Sequence, residues 1–156
     1  MNTLPDKAVP LTARIFYHAC GIPLSHRALV GAYGESYALR KLRTNGFFLW
    51  EQNWKIKQGE LDLIGRIKDV LVIVEVKTRI VADSSLATII TTAQDNYTLE
   101  KHRRVTTLAE KYINATRVRQ SRERVRFYRI DLVALDLKLK WGFLPKLVSY
   151  THVEGI

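Results

Sequence analysis

One cysteine, no long apolar run and a single proline beyond residue 24 are the first things this 156-residue chain shows by what it lacks. Cys20 has no second cysteine to pair with, so no disulfide framework holds the fold together. It reads as a small packed side chain rather than a nucleophile. No segment approaches the ~18 consecutive apolar residues a membrane helix needs. The only apolar stretch near the N-terminus, residues 11–22, is interrupted by Arg14 and His18 and makes a poor secretory leader, so a cytoplasmic location away from membranes is expected. There is no phosphate-cradling Walker loop, no glycine-rich dinucleotide fingerprint, no internal repeat and no low-complexity tract. The four histidines, His18, His26, His102 and His152, are too widely spaced for a local metal motif.

What is present is enough for one core. Hydrophobic residues make up 47% of the chain and charged residues 26%, the profile of one globular domain. A chain of this size buries roughly 70% of its unfolded surface. The net charge is +10, and it is unevenly placed. Residues 101–129 carry ten lysines and arginines against two acids, whereas residues 61–100 carry four against six. A basic lobe beside a slightly acidic region is the pattern of a polyanion held next to carboxylates, although basic runs are often merely solvated. The basic stretch lacks the aromatic and leucine face of a membrane-surface helix.

Pro5, Pro10 and Pro23 and the absence of any period mark residues 1–24 as an N-terminal extension, leaving 25–156 as a single domain. A helix is expected from Ser25, a candidate cap, to Gly46, a candidate C-terminal stop, with Ala28, Leu29, Ala32, Leu39 and Leu42 as its stripe. Gly31 and Gly34 weaken it, and glycines in a helix often allow a strand or ligand to approach closely. Strands are expected at 47–55, 59–67, 70–78 and 125–135. The run Val70-Leu71-Val72-Ile73-Val74-Glu75-Val76 has the β-branched character of a central strand. A polar loop at 79–96 leads to a helix at 98–115, and a basic loop at 117–124 comes next. A last strand at 141–153 carries Pro145, which suits an edge or a break. The order α-β-β-β-α-β-β makes an α/β fold with a mixed β-sheet flanked by helices.

The chemistry concentrates in Gly59-Glu60-Leu61-Asp62-Leu63-Ile64 and in Glu75-Val76-Lys77. If the second and third strands form a hairpin turning at Lys68-Asp69, Asp62 lies opposite Glu75 and Glu60 opposite Lys77. Side chains two apart share a face, so these four should cluster while Leu61, Leu63, Val72, Val74 and Val76 line the other side. Two carboxylates ~5 Å apart across a strand pair suit Mg²⁺, which takes oxygen ligands and acidifies a bound water. A lysine beside them can hold attacking water or developing charge. The competing reading is a solvated sheet face laced by ion pairs; against it stands the cost of an acid between Val74 and Val76 unless paired or metal-bound.

These blocks, with Gly34-Glu35, Ala38-Leu39 and Leu42, Gly46, Asn53, Thr78-Arg79, Lys101, Arg129-Ile130-Asp131-Leu132-Val133 and His152, resemble the bacterial YraN-like family of predicted endonucleases over roughly residues 30–154. The N-terminal extension and the glycine-free loop after Arg79 depart from that pattern. The resemblance implies a restriction-endonuclease-like core of the PD-(D/E)XK superfamily, similar to archaeal Holliday-junction resolvases. It implies that Asp62 and Glu75 bind Mg²⁺, or Mn²⁺ in its place, that Lys77 is the catalytic lysine, and that Glu35 adds a further acid. The expected activity is metal-dependent hydrolysis of nucleic-acid phosphodiesters, DNA before RNA, with junction DNA as one substrate shape and a homodimer as one assembly. The alternatives are a nuclease fold that binds DNA or RNA without cutting, and an adaptor with a protein partner. Lys101, Arg103, Arg104, Arg79, Arg117, Arg119, Arg122 and Arg124 are the candidate phosphate contacts. Trp50, Trp54 and Trp141 are candidate base-stacking surfaces, though strand aromatics more often fill cores.

Overall fold

The computed structural model describes residues 26–81, 98–140 and 144–156; the N-terminal extension, Ser25, Cys20 and Trp141 lie outside them. Its eight elements are, in order, α1 (His26–Thr44), β1 (Phe48–Ile56), β2 (Gly59–Ile67), β3 (Val70–Ile80), α2 (Leu99–Ala115), α3 (Arg117–Arg122), β4 (Phe127–Lys140) and β5 (Leu144–Val153). The strands form one sheet in the order β1-β2-β3-β4-β5. Pairing is antiparallel except between β3 and β4, which run parallel because α2 and α3 carry the chain back across the sheet. The mixed α/β architecture is the one expected.

Local chemistry explains the boundaries. The α1 helix stops where Gly46 takes a left-handed φ of 82°. There the Phe47 amide donates to the Leu42 carbonyl and the Gly46 amide to Arg43, while Leu42 and Phe47 meet in the core. The α2 helix starts at Thr98, whose hydroxyl accepts from the Lys101 amide at 3.2 Å. The β2–β3 hairpin turns on Lys68-Asp69, and its pairs run from Ile67↔Val70 to Leu63↔Val74, the register expected.

Two apolar layers sandwich the sheet. Trp50, Leu61, Ile64, Leu71, Ile73 and Ile130 pack with Val105, Leu108, Ala109 and Tyr112 of α2. Tyr112 is fully buried, yet its phenol donates to Glu51 at 2.8 Å, which meets the cost of a buried hydroxyl. Burial and that bond push the phenol's pKa upward. On the other face Leu63, Val72, Val74, Val133 and Leu135 pack with Ala38 and Leu42 of α1 and with Phe47.

The structure corrects several expectations. Residues 117–122 form a short helix rather than a loop. The third strand continues through Ile80, because Arg79 and Ile80 pair with Asp136 and Leu137 of β4, a strand that itself runs on to Lys140. The expected start of the last strand, 141–143, lies outside the described residues, and Pro145 sits on the sheet's edge strand, as expected of a residue with no amide to donate. Leu61 does not share a face with Leu63: it packs toward α2, and Leu63 packs toward α1. The alternation fails where Asn53 and Asp62 face each other, between the pairs Gln52↔Leu63 and Trp54↔Leu61. Asn53 has φ 56°, and a left-handed residue inside a strand turns the next residues onto the opposite face.

The hairpin turn is tied to β4. The Arg126 guanidinium donates to the Asp69 carboxylate at 2.8 Å, and the Arg126 amide to the Asp69 carbonyl at 2.8 Å. The Arg126 side chain, together with a weaker backbone hydrogen bond, holds the Asp69 carboxyl below its ordinary value of 3.8. A lowered folded-state value stabilises the protein above the unfolded value, and the gain disappears as pH falls through the folded value. Thermal melts of wild type and Arg126→Ala should therefore differ at about pH 6, and the part of the gap due to Asp69 should vanish by about pH 2. A gap unchanged across that range would remove the Asp69 pairing as its cause.

Candidate functional site

The backbone pairing of β2 with β3 runs as far as Leu63↔Val74, and beyond it a side chain takes over. The Val76 amide donates to the Asp62 carboxylate at 2.8 Å, so a carboxylate stands where a strand carbonyl would otherwise accept. A cleft of about 670 Å³ lies at this end of the sheet. Glu60, Asp62, Glu75 and Lys77 line it, together with Thr78 and Arg79 from β3, Glu35 and Gly31 from α1 and Lys101 from α2. The carboxylates thus come from the sheet and from the helix on its far face.

Three of these acids are almost dry: Glu35, Asp62 and Glu75 are 5%, 7% and 5% exposed. Each has a donor, as burial of a charge demands. Glu35 accepts from the Asn53 amide at 3.0 Å and, more weakly, from Gln52 at 3.5 Å. Asp62 accepts the Val76 amide, and Glu75 pairs with the Lys101 ammonium at 2.8 Å. Lys77, half-buried in the cleft wall, has no ion pair among the described residues. Glu60 pairs with Lys55 at 3.1 Å on the rim.

One contact sets how closely α1 approaches β3 beside the cleft. A Cβ built on Gly34 would lie 1.8 Å from the Thr78 hydroxyl oxygen, so Thr78 or the helix would have to shift. Gly34 lets the helix lie against β3 and carries its neighbour Glu35 to the cleft. The close approach expected of a helical glycine belongs to Gly34; around Gly31 there is open space.

The candidate phosphate contacts separate into groups. Lys101 lines the cleft but is engaged by Glu75, and Arg79 donates to the Asp136 carboxylate at 2.9 Å, joining β3 to β4. Arg103 and Arg104 are exposed near the start of α2. Arg117 donates to Asn114, Arg119 stacks its guanidinium on Trp50 at 4.4 Å, and Arg122 and Arg124 are exposed beside α3. From Lys101 to Ala115 the helix runs about 21 Å at 1.5 Å per residue, so these candidates make two stations toward its ends, with exposed Lys111 between them. Trp50 is buried in the core and Trp54 packs against Tyr112, as the core reading of strand aromatics expects. Asn53, Gln52 and Lys55 had no assigned part. An asparagine inside a strand, disfavoured there, was the available signal.

For Mg²⁺ the donor type fits. Glu35, Asp62 and Glu75 supply the hard oxygens the ion takes, and all three line one cleft. Among the described residues they are not gathered closely enough to form a metal-binding group, and a cation reaching Glu75 meets a carboxylate that Lys101 already engages through one oxygen.

Fold and cleft together define a mixed α/β protein with buried carboxylates and a lysine at one end of its sheet. The chain belongs to the uncharacterised protein family UPF0102, whose model matches residues 34–135 and so takes in both motif blocks; this is the YraN-like family they resemble. A UPF0102 protein of Dictyoglomus turgidum is 32% identical over 116 residues, covering 74% of this chain and 93% of its own. One of a Nocardioides species is 42% identical over 106 residues, 68% of this chain and 77% of its own. One of Treponema pallidum reaches 47% over 53 residues, 34% of this chain and 42% of its own. Among the described residues no helix is long and apolar enough to cross a membrane.

Replacing Gly34 by alanine should cost about 1–3 kcal/mol in urea denaturation, the usual range for overpacking. Adding Thr78→Ala should recover part of that loss, since the hydroxyl is the atom struck. Equal midpoints for wild type and Gly34→Ala would show that α1 does not depend on this contact.

Proposed function

We propose that this protein is a metal-dependent endonuclease of the PD-(D/E)XK type that hydrolyses phosphodiester bonds in nucleic acid, DNA rather than RNA. The observation that carries the reading is Lys77, a lysine without an ion-pair partner among the described residues, lining the same cleft as three nearly dry carboxylates. A surface laced by ion pairs would spend that lysine on a neighbouring acid, and a purely structural core would not collect acids from two layers.

Asp62 and Glu75 hold the metal in this reading, with Glu35 as the third acid. When bound, Mg²⁺ or Mn²⁺ supplies an acidified water and neutralises charge on the phosphate. The chain's own groups then have distinct tasks. The Val76 amide fixes the Asp62 carboxylate through its 2.8 Å bond, and the Asn53 amide holds Glu35. The Lys77 ammonium donates to the attacking water or to the oxygen on which charge develops. Among the described residues no ion pair holds it, so none has to break first. The resemblance to junction resolvases makes branched DNA the first substrate shape to try.

One observation favours a module that binds without cutting: Lys101 already neutralises Glu75 at 2.8 Å. Metal dependence separates the two readings. Linear, single-stranded and four-way-junction DNA should be cut with Mg²⁺ or Mn²⁺ and spared in EDTA. Asp62→Ala and Glu75→Ala should reduce cleavage to background, and Lys77→Ala by about 10²- to 10³-fold, with binding largely kept. Cleavage retained in all three variants sinks the site. Tight binding by wild type with every substrate intact in either metal selects the binding module.

A further inference from the structure

A second cavity, of about 390 Å³, adjoins the acid-lined cleft and shares Glu60 and Lys101 with it. Its other walls are Lys55 and Ile56 of β1, Gly59 at the start of β2, and Arg104, Val105 and Leu108 of α2. Its polar side carries Lys55, Lys101 and Arg104 against Glu60; Lys55 pairs with Glu60 at 3.1 Å and Lys101 with Glu75 at 2.8 Å. Arg104 is exposed and has no ion pair among the described residues. Its placement is built in. Gly59 has φ 152°, and a Cβ there would come within 3.1 Å of two guanidinium nitrogens of Arg104 and 3.0 Å of the Leu108 methyl. The guanidinium therefore lies over a glycine that leaves room for it.

We infer that this cavity is an anion subsite for the nucleic-acid backbone, holding a phosphate next to the one that enters the acid-lined cleft. Arg104 offers its planar fork to the phosphate oxygens, and Lys55, exchanging its exposed pairing with Glu60 for the phosphate, adds a point charge. Ile56, Val105 and Leu108 give an apolar floor that accommodates sugar. Lys101, common to both cavities, ties the subsite to Glu75. Of the basic residues in the chain, Lys55 and Arg104 thus set where a strand lies relative to the carboxylates. The inference rests on the nucleic-acid part of the proposed function and not on cleavage.

The test is fluorescence anisotropy with a labelled 20-nucleotide single strand in EDTA, across a series of salt concentrations. Wild type should bind, and its log affinity should fall linearly with log salt. Lys55→Ala and Arg104→Ala should each weaken binding and flatten that slope by ~0.7, the contribution of one single-strand phosphate contact. Arg104→Lys should keep the wild-type slope. Matching thermal melts for Lys55→Ala and Arg104→Ala, both exposed, establish that the fold is kept. Slopes and affinities equal to wild type in both variants overturn the subsite, as does a wild type that binds no strand in EDTA. Pocket-dependent binding by a chain that cuts nothing keeps the subsite and removes the nuclease. Metal-dependent cutting with an unchanged Arg104→Ala slope does the reverse.

Discussion

A carboxylate between two valines of a central strand, as Glu75 is, costs several kcal/mol unless something neutralises it. Much of the local structure stems from that requirement. Its partner is Lys101, three residues past the Thr98 cap of α2, so the start of α2 and the middle of β3 are held together electrostatically. The same problem recurs on either side. Asp62 is met by a backbone amide, and Glu35 by the amide of Asn53. Asp131, fully buried in β4, is met by Arg129, His152 and the Gly155 amide. The last of these pins the final residues against the sheet, where the Ile156 amide also donates to Ile130.

The cleft exists because regular sheet geometry is given up at one place. Strands β2 and β3 pair normally through Leu63↔Val74, and at the next position Asp62 replaces the backbone acceptor. Asn53 adopts a left-handed φ opposite it, and the alternation of β1 and β2 changes phase. Local departures of this kind are tolerated when surrounding packing over-determines them, and they concentrate at functional positions. Here the surroundings supply that support: Leu61 still finds a core, on the face toward α2.

How much of this could be read from residues alone depended on the range of the interactions involved. The hairpin register was legible because a two-residue turn and a β-branched run leave few alternatives, and pairs such as Ile64↔Ile73 fall where expected. The α2 helix was legible from its cap and apolar period. Glu35 entered only through a family resemblance, since nothing local links position 35 to positions 62 and 75. The face change at Leu61 was hidden because it depends on the backbone dihedral of Asn53 in a neighbouring strand. Lys101 was assigned to phosphate, and its bond to Glu75 became visible only when the crossover set α2 over β3. The short α3 helix was missed because a six-residue helix with no buried residue has no apolar stripe to reveal it.

The separation of the two basic stations turns α2 into a ruler. From Arg104 to Ala115 the helix spans about 16 Å, and Arg117, Arg122 and Arg124 follow its far end in the chain. A duplex advances 3.4 Å for each base pair, so one that touched both stations would present a footprint of at least about five base pairs. Shorter oligomers would meet one station and feel only part of the charge. The length of a packed helix would in this way become a minimum length for whatever polyanion exploits the whole surface.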